Sequence, residues 1–369
     1  MIRALGMMSG TSLDGVDAAV IDTDGTRIGG FGRTAFRAYS DNEAAALHAA
    51  LGSWQDSPCL PEAAQLVEAC HADLARGFPE ADLIGFHGQT LAHDPRGRGT
   101  HQAGSGAALA QATGRPVVWD FRSEDVRRGG EGAPLVPFFH WACAEWAVGQ
   151  GHLPPAPVAF LNLGGVGNIS WVDPRAASPQ APDACLAFDT GPANAPINDL
   201  MRRRLHKTRD DNGALAAAGV ADAEVIARFL RHPYFSRPAP KSLDRDQFAS
   251  LLSEVRDLDD ADAAATLAGA VVASVRAALA WLPMPPARML VCGGGRHNRT
   301  IMGGLADALP MPVDPVEACG LDGDMLEAQA FGWLAVRVLR GLPVSGPTTT
   351  GVPEPVCGGR ISHPRVFVG

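Results

Sequence analysis

Residues 7–17 read Met7-Met8-Ser9-Gly10-Thr11-Ser12-Leu13-Asp14-Gly15-Val16-Asp17. This stretch lies between two apolar runs, 2–5 and 16–21, an order that predicts a strand, a tight turn and a second strand. The glycines let the backbone curl so that several N–H groups can converge on an anion. Thr11 and Ser12 add hydroxyl donors, and Asp14 offers a carboxylate to a hydrated magnesium ion. The stretch is compatible with a phosphate-binding hairpin and equally with an ordinary polar turn.

The composition is that of a well-packed acidic protein. The 369 residues are enough for two domains with separate cores, and 46% hydrophobic against 19% charged residues argues against disorder. A net charge of −9 argues against nucleic acid or a membrane surface as a partner. Of the 31 basic residues only Lys207 and Lys241 are lysines. Little lysine is therefore available to bind phosphate or to form a Schiff base.

Several other classes of protein are disfavoured by what the sequence lacks. No apolar run approaches the ~20 residues of a membrane span, and the N-terminus has no signal-peptide pattern. The seven cysteines are scattered and never form a CxxC pair. This usage predicts reduced thiols in a cytoplasmic protein, without a disulfide framework or a zinc site. P-loop, dinucleotide-binding, serine-hydrolase and protein-kinase signatures are also absent.

Apolar strand-like runs alternate with alanine-rich helical runs along the chain, a pattern that predicts an α/β fold with mixed sheets. A second predicted hairpin, 158–163 then 169–172, turns through Gly164-Gly165-Val166-Gly167-Asn168. It follows the same plan as the first hairpin without detectable sequence identity to it. The polar turn 149–152 and the proline-rich segment 153–157 indicate a boundary region.

Two further turns follow predicted strands. One contains Gly293, Gly294 and Gly295 and leads through Asn298 into a predicted helix, whose N-terminus favours phosphate. In the other, Asp189 ends a strand shortly before a predicted helix. A carboxylate in that position is rigidly held and can act as a general base, or it can cap the helix.

Two basic side chains are candidates for substrate binding. His87 follows the predicted strand 83–86, and it can hydrogen-bond a substrate or serve as a structural turn residue. Arg122 has the planar donor pair that suits a carboxylate, or it can form an internal salt bridge.

The sequences of these motifs resemble those of the anhydro-N-acetylmuramic acid kinase family, within the actin, hexokinase and Hsp70 superfamily. The resemblance extends over nearly the whole chain, from Gly6 to about Ser362. The resemblance is carried by a set of short motifs in this order: GTSLDGVD at 10–17, HGQT at 87–90, DFR at 120–122, GGEGAPL at 129–135, NLGGVGN at 162–168, DTGPAN at 189–194, GGGRHN at 293–298, Glu327-Ala328, and TTG at 349–351.

The resemblance implies an activity and its site residues. The enzyme would open the 1,6-anhydro bridge of its sugar and phosphorylate O6, using ATP and Mg²⁺, to give N-acetylmuramic acid 6-phosphate in cell-wall recycling. Asp189 would be the general base, and His87, Arg122 and Glu327 would contact the sugar, with Arg122 on the lactyl carboxylate. The nucleotide would be bound by Gly10, Thr11, Ser12, Leu13, Asp14, Gly15, Val16, Asp17, Gly164, Gly165, Gly293, Gly294, Gly295 and Asn298. No metal-ligating residue is assigned.

The resemblance also implies an actin-like, ribonuclease H-like fold of two domains with a nucleotide cleft between them. We expect the domains at 1–130 and 131–340, with the tail 341–369 packed on the first, and a homodimer. Alternatives are a kinase for another anhydrosugar such as levoglucosan, or a non-catalytic ATP-binding sugar sensor.

Three positions depart from the family wording: Glu131 stands for Gln, Ala193 for Gly and Ser105 for Asp. These departures bear on sugar recognition and leave Asp189 and residues 10–17 unchanged.

Overall fold

The computed structural model describes residues 1–54, 56–243 and 245–365. The strands are β1 (Ile2–Ser9), β2 (Gly15–Thr23), β3 (Ile28–Ala38), β4 (Leu83–Asp94), β5 (Gly99–Ala103), β6 (Val117–Trp119), β7 (Val158–Leu163), β8 (Val166–Val172), β9 (Cys185–Pro192), β10 (Met289–Cys292), β11 (Val313–Pro315) and β12 (Arg360–Ser362).

The α-helices alternate with these strands. They are α1 (Asp41–Ala50), α2 (Leu60–Arg76), α3 (Gly106–Thr113), α4 (Ser123–Arg127), α5 (Pro137–Gly149), α6 (Asn194–Leu205), α7 (Ala214–Ala218), α8 (Ala223–Phe229), α9 (Ser250–Glu254), α10 (Asp260–Ala278), α11 (Arg299–Ala308), α12 (Leu326–Leu339) and α13 (Pro347–Thr350).

The chain divides into two compact units. The first consists of Met1–Trp146, Ser178–Gln180 and the chain from Met325 onward, and the second consists of Ala147–Ala177 and Ala181–Asp324. The first boundary therefore lies within α5, not after residue 130 as expected. The tail and α12 both belong to the first unit, although α12 was expected in the second. The sequence period shows that α12 is a helix with an apolar face, but it does not show which sheet that face covers.

The two sheets share one strand order. In the first unit the order is β3-β2-β1-β4-β6-β12, with β5 beside β4, and in the second unit it is β9-β8-β7-β10-β11. In each sheet the first three strands form an antiparallel meander, and the next two run parallel to the first. The expected α/β fold with two ribonuclease H-like sheets is thus confirmed, and the similarity between the two hairpins is one of topology.

This order gathers the motifs at sheet edges. In the first unit β1, β4 and β6 are parallel, so the turn after Ser9 and the segment before Arg122 follow from the same edge. The HGQT motif lies within β4 at the same level, with Gln89 paired to Ser9. In the second unit β7, β9 and β10 run in one direction, so Asp189 and the two glycine-rich turns share an edge. The carboxyl ends of such strands are where ligands bind in open α/β sheets.

Helix α10 corrects one expectation from the sequence. Together with the following turn it forms a stretch, Asp260–Trp281, of 22 residues that by length and composition could cross a membrane. Within the part of the chain that the structure describes, it is the only such helix. Its alanine-rich faces are mostly buried in the core of the second unit, including Val271 and Val275. A run this apolar is accounted for by its position at the centre of that unit.

Helix α12 lies directly on the backbone of the first sheet. A Cβ atom added to Gly6 of β1 would lie 1.7 Å from the Ala328 carbonyl oxygen, and one added to Gly85 of β4 would lie 2.1 Å from the Phe331 oxygen. Gly332 faces Gly6 from the helix side, with its added Cβ 3.0 Å from the Gly6 nitrogen. The glycines therefore set the separation of helix and sheet.

We expect Gly85→Ala to lower the free energy of unfolding by about 1–3 kcal/mol, because the new methyl group forces α12 away from the sheet. The matched control is Gly30→Ala in β3 of the same sheet, where an added Cβ has nothing within 4 Å. Urea denaturation of both variants measures the difference. Equal stability of the two variants would contradict the packing role of Gly85.

Candidate functional site

The turn after β1 exposes unpaired backbone donors. Leu13 donates its N–H to the Gly10 oxygen at 3.2 Å, and its side chain is buried in the core of the first unit at a φ of 58°. Within the described residues, the amides of Thr11 and Ser12 have no protein acceptor. A Cβ added to Gly10 would meet only the Ser12 hydroxyl oxygen at 3.6 Å. The turn can therefore donate several N–H groups to an anion.

The rest of the predicted GTSLDGVD site belongs to β2 and not to the turn. Gly15 is in close contact with β3, since an added Cβ would lie 2.2 Å from the Arg37 oxygen. Val16 is fully buried, and Asp17 pairs with Met8 of β1 in the ladder. The side chain of Asp14 is exposed at the end of the turn. Nucleotide contact by Gly15, Val16 and Asp17 stays a prediction.

A buried chain of hydrogen bonds holds the turn in place. Ser9 Oγ donates to Gln89 Oε1 at 2.5 Å, so it accepts from the Tyr39 hydroxyl at 2.8 Å. Gln89 Nε2 in turn donates to the Gly10 oxygen at 3.2 Å. Burial raises the pKa of Tyr39 to about 12, so it remains a donor. The HGQT motif thus supports the turn through Gln89, a role that the sequence did not indicate.

His87 and Arg122 are joined by a side-chain hydrogen bond. Arg122 Nε donates to His87 Nε2 at 3.0 Å, so that nitrogen must accept and Nδ1 must carry the proton that is donated to the Gly88 oxygen at 2.8 Å. Burial and the Arg122 charge hold the pKa of His87 well below its usual value. Both ring nitrogens of His87 are used within the protein. The structure therefore gives His87 the task of orienting Arg122, while its direct contact with a sugar stays a prediction.

The Arg122 guanidinium is held but not neutralised by a direct partner. Nη1 donates to the Gly132 oxygen at 2.9 Å, and within the described residues Nη2 has no hydrogen-bond partner. Burial lowers the pKa of Arg122 to about 10, against which the nearby charges of Glu327 and Asp125 raise it. Glu327, in the first turn of α12, is thus close enough to act on Arg122. The arrangement suits recognition of an anionic group by Nη2.

Asp125 joins two distant motifs in the first unit. Its side chain is fully buried and accepts hydrogen bonds from the Gly132 amide at 2.7 Å, the Ser345 hydroxyl at 2.5 Å and the Thr350 hydroxyl at 2.6 Å. The GGEGAPL segment and the TTG motif of the tail therefore meet at one carboxylate. Because Gly132 also accepts from Arg122, this network fixes the position of the guanidinium.

A cavity of about 820 Å³ and a smaller one of about 470 Å³ lie in the second and first units, respectively. The smaller one is lined in part by His87 and combines two aromatic rings, two carboxylates and two histidines. Its polar and aromatic lining includes Glu68, His87, His101, Gln102, Trp119 and Asp120. The larger one is apolar and adjoins the start of α11 at Thr300; its lining includes Ala216, Ala217, Ala268, Val272, Thr300 and Gly304.

Asp189 lies within β9, which continues to Pro192, and not at the strand end as predicted; it is opposite Asn168 at a β-bulge. Its Oδ2 accepts the Leu243 amide at 2.7 Å, and burial raises the pKa of the carboxyl to about 7 while that hydrogen bond lowers it. The helix α6 begins at Asn194 with no side-chain cap, so Asp189 does not cap it. A carboxyl that ionises near neutral pH is suited to remove a proton.

The glycine-rich turns of the second unit pack on each other. A Cβ added to Gly293, at a φ of 73°, would lie 2.2 Å from Asn162 Oδ1, and one added to Gly295 would lie 2.5 Å from Leu163 Cβ. Gly294 has nothing closer than 4.0 Å. Two of these glycines are thus required for packing, and Gly294 is the one that leaves space beside the turn.

Two other predicted nucleotide contacts serve the backbone. Asn298 caps α11, because its Oδ1 accepts the amides of Thr300 and Ile301 at 3.1 Å. The carbonyl oxygens of Gly164 and Gly165 accept amides from the start of α6, at 2.9 to 3.2 Å. The amides of these two glycines have no acceptor among the described residues. Nucleotide contact by Gly164, Gly165 and Asn298 stays a prediction.

The three departures from the family wording have local explanations. Glu131 forms an ion pair with Arg96 at 2.7 Å. Ser105 caps α3 by accepting the Ala108 amide, as the usual aspartate could. Ala193 has a φ of −125°, outside the left-handed region that favours glycine. None of them removes a contact of Arg122 or Asp189.

Some residues of the site were missed by the sequence analysis. Gln89 lies within a motif that was recognised, but the motif gave no role to its amide. Asp125 and Tyr234 carry no motif signal, since their partners are far away in sequence. Lys241 was noticed only as one of two lysines. Among the described residues no group of three or more His, Cys, Asp or Glu side chains is placed to hold a metal.

Comparison with known proteins identifies the family. The family model described as anhydro-N-acetylmuramic acid kinase matches residues 2–364. A protein named anhydro-N-acetylmuramic acid kinase from Cereibacter sphaeroides is 62% identical over 99% of this chain and 97% of its own length. One of the same name from a Ruegeria species is 55% identical over 99% and 96%. Among solved structures, a ROK family glucokinase from Streptomyces griseus is 14% identical with a TM-score of 0.42, over 90% of this chain and 99% of that one. With its family model matched almost end to end, this chain belongs to the anhydro-N-acetylmuramic acid kinase family.

Proposed function

We propose that this protein is an ATP-dependent kinase that hydrolyses the 1,6-anhydro bridge of anhydro-N-acetylmuramic acid and phosphorylates O6, in cell-wall recycling. The family supports the substrate, and the observation that carries the chemistry is Asp189. Its carboxyl lies at the edge shared by the glycine-rich turns, with a pKa of about 7. A water molecule that attacks an anomeric carbon needs such a base.

Ring opening and phosphoryl transfer are coupled through the bridging oxygen of the sugar. The Asp189 carboxylate takes a proton from water as the water oxygen bonds to C1 of the sugar. The bond from C1 to the bridging oxygen breaks, and that oxygen, now on C6 alone, bonds to the γ-phosphorus. The bond from the γ-phosphorus to the β,γ-bridging oxygen breaks. ATP with Mg²⁺ supplies the phosphoryl group and the charge that assists its transfer.

The residues present fit a nucleotide phosphate. The free amides of Thr11 and Ser12 and their hydroxyls can donate to phosphate oxygens. Asp14 is the exposed carboxylate at the same turn and is our candidate for contact with Mg²⁺ or its water shell. We assign the apolar cavity beside Thr300 to the adenine ring, since its lining is mostly alanine, glycine and valine.

In the first unit, the cavity beside His87 is our candidate for the sugar. An aromatic ring and polar side chains, as Trp119, Glu68 and Gln102 provide here, suit a sugar with alternating apolar and hydroxyl faces. Arg122 Nη2 would donate to the lactyl carboxylate. We also propose a cytoplasmic location, which agrees with seven free thiols, and a homodimer, as the resemblance implies.

The first test uses Mg-ATP and 1,6-anhydro-N-acetylmuramic acid in ¹⁸O-labelled water, with mass spectrometry of the quenched product. We expect a sugar with one phosphoryl group and one labelled oxygen on C1. Authentic N-acetylmuramic acid 6-phosphate in the same water measures exchange at the reducing end. Phosphorylation without label above that exchange would contradict hydrolysis, and no product would contradict the substrate.

Asp189→Asn is expected to lower kcat about 10²–10⁴-fold, because the amide accepts the Leu243 N–H but cannot take the proton. ATP affinity, measured by calorimetry, should be unchanged. The pKa of Asp189 is higher in the folded protein than in the unfolded chain. Ionisation of this carboxyl therefore lowers the free energy of unfolding as the pH rises from about 4 to about 7. The free energy of unfolding of the variant, minus that of wild type, should therefore be larger at pH 8 than at pH 4. Turnover at the wild-type rate would exclude Asp189 as the base.

Arg122→Ala is expected to raise KM for the muramic sugar about 10–100-fold, through loss of charge-assisted hydrogen bonds. Any turnover of levoglucosan, which has no lactyl group, should be affected far less. The control is Arg127→Ala, an exposed arginine paired with Glu124 in the neighbouring helix. An equal loss on both sugars would mean that Arg122 does not read the carboxylate.

A further inference from the structure

The segment from Tyr234 to Leu243 holds Asp189 on three sides. The Asp189 amide donates to the Lys241 oxygen at 3.0 Å, and its carbonyl oxygen accepts the Tyr234 hydroxyl at 2.5 Å. Its carboxylate accepts the Leu243 amide at 2.7 Å. Apart from the β8–β9 ladder, these are the hydrogen bonds of Asp189 within the described residues. The orientation of the carboxylate therefore depends on where this segment lies.

Lys241 links the end of the segment to its beginning. Its ammonium donates to the Tyr234 oxygen at 3.1 Å, across seven residues, and the side chain is only 7% exposed. The nitrogen lies over the rings of Tyr234, Trp281 and Phe188, at 4.7, 5.1 and 5.7 Å from their centroids. No carboxylate of the described residues forms an ion pair with it. Three rings and one carbonyl thus hold a buried cation.

A buried ammonium without a carboxylate is costly, and a purely structural position would accept an apolar side chain instead. Burial, with the charge of Arg237 added, lowers the pKa of Lys241 to about 8. Contacts with aromatic faces recover part of the cost. The ammonium also donates a hydrogen bond to the Tyr234 oxygen, which an apolar side chain could not do. This hydrogen bond joins the two ends of the segment, and both ends contact Asp189.

We propose that Lys241 and Tyr234 are positioning residues for the general base, which hold the Leu243 amide on the Asp189 carboxylate. Lys241 acts through the backbone of the segment, and Tyr234 acts through its hydroxyl on the Asp189 carbonyl oxygen. The inference rests on the proposed role of Asp189. It adds that the base is set by a segment outside the strand that carries it.

The test compares Lys241→Met with Lys207→Met, which changes the chain's other lysine, an exposed one. Lys241→Met keeps the length of the apolar stem and removes the ammonium. We expect kcat to fall about tenfold or more, with KM for ATP unchanged, because a carboxylate that turns away no longer meets the water. Loss of the Leu243 hydrogen bond removes a contact that lowers the Asp189 pKa, so the acid limb of the kcat profile should move to higher pH by about half a unit or more. Lys207→Met should match wild type in both.

Two further measurements keep the inference decidable. Tyr234→Phe retains the aromatic ring under the ammonium and removes only the hydroxyl, so it decides the case if Lys241→Met does not fold; it should also lower kcat. Infrared difference spectra of each protein, with the corresponding Asp189→Asn variant subtracted, give the Asp189 pKa without any turnover. If the Lys241 and Tyr234 variants keep the wild-type kcat and the wild-type Asp189 pKa, the inference is overturned. If wild type itself shows no ring opening in labelled water, the proposed function fails, while the infrared result still tests the positioning.

Discussion

The first unit depends on the contact between the backbone of α12 and the backbone of its sheet. Gly6 and Gly85 let the helix approach so closely that no side chain fits between them. This approach places Phe331 against the His87 ring, with 4.5 Å between the ring centroids. It also brings Glu327 near Arg122 at the carboxyl edge of the parallel strands. A close-packed interior transmits such a constraint, because neither layer can shift independently of the other.

Two acidic side chains of this protein show how surroundings decide the use of a carboxylate. Asp125 receives three hydrogen bonds from Gly132, Ser345 and Thr350, and it serves as a structural joint. Asp189 receives one, from Leu243, and its carboxyl has a pKa of about 7. Burial disfavours the charged form of the Asp189 carboxyl and raises its pKa, and the one hydrogen bond from Leu243 only partly opposes this effect. Asp125 thus links distant segments through its three donors, while burial with a single donor suits Asp189 to act as a base.

The repeated strand order gives the two units similar sheet edges that carry different functional groups. The first edge has a turn with free amides and an arginine held by histidine, while the second has two turns packed on each other and a carboxylate. The turn after β1 and the turn after β7 each follow the first strand of a meander. A later parallel strand, β4 or β10, lies beside that first strand. The sheet order therefore explains why turns without sequence identity occupy equivalent places.

The sequence by itself determined the α/β class, the two hairpins and the glycine-rich turns, because strand period and turn chemistry are local properties. Its family motifs also indicated the activity. Only the tertiary structure decided that α12 joins the first unit, that α10 is a core helix, and that Asp125 links the GGEGAPL segment to the tail. It also decided that the ring nitrogens of His87 bond Gly88 and Arg122, and that Lys241 lies among aromatic rings within the segment that holds Asp189. These features depend on contacts between residues far apart in sequence, such as Asp125 and Thr350, 225 positions apart, which no local pattern encodes.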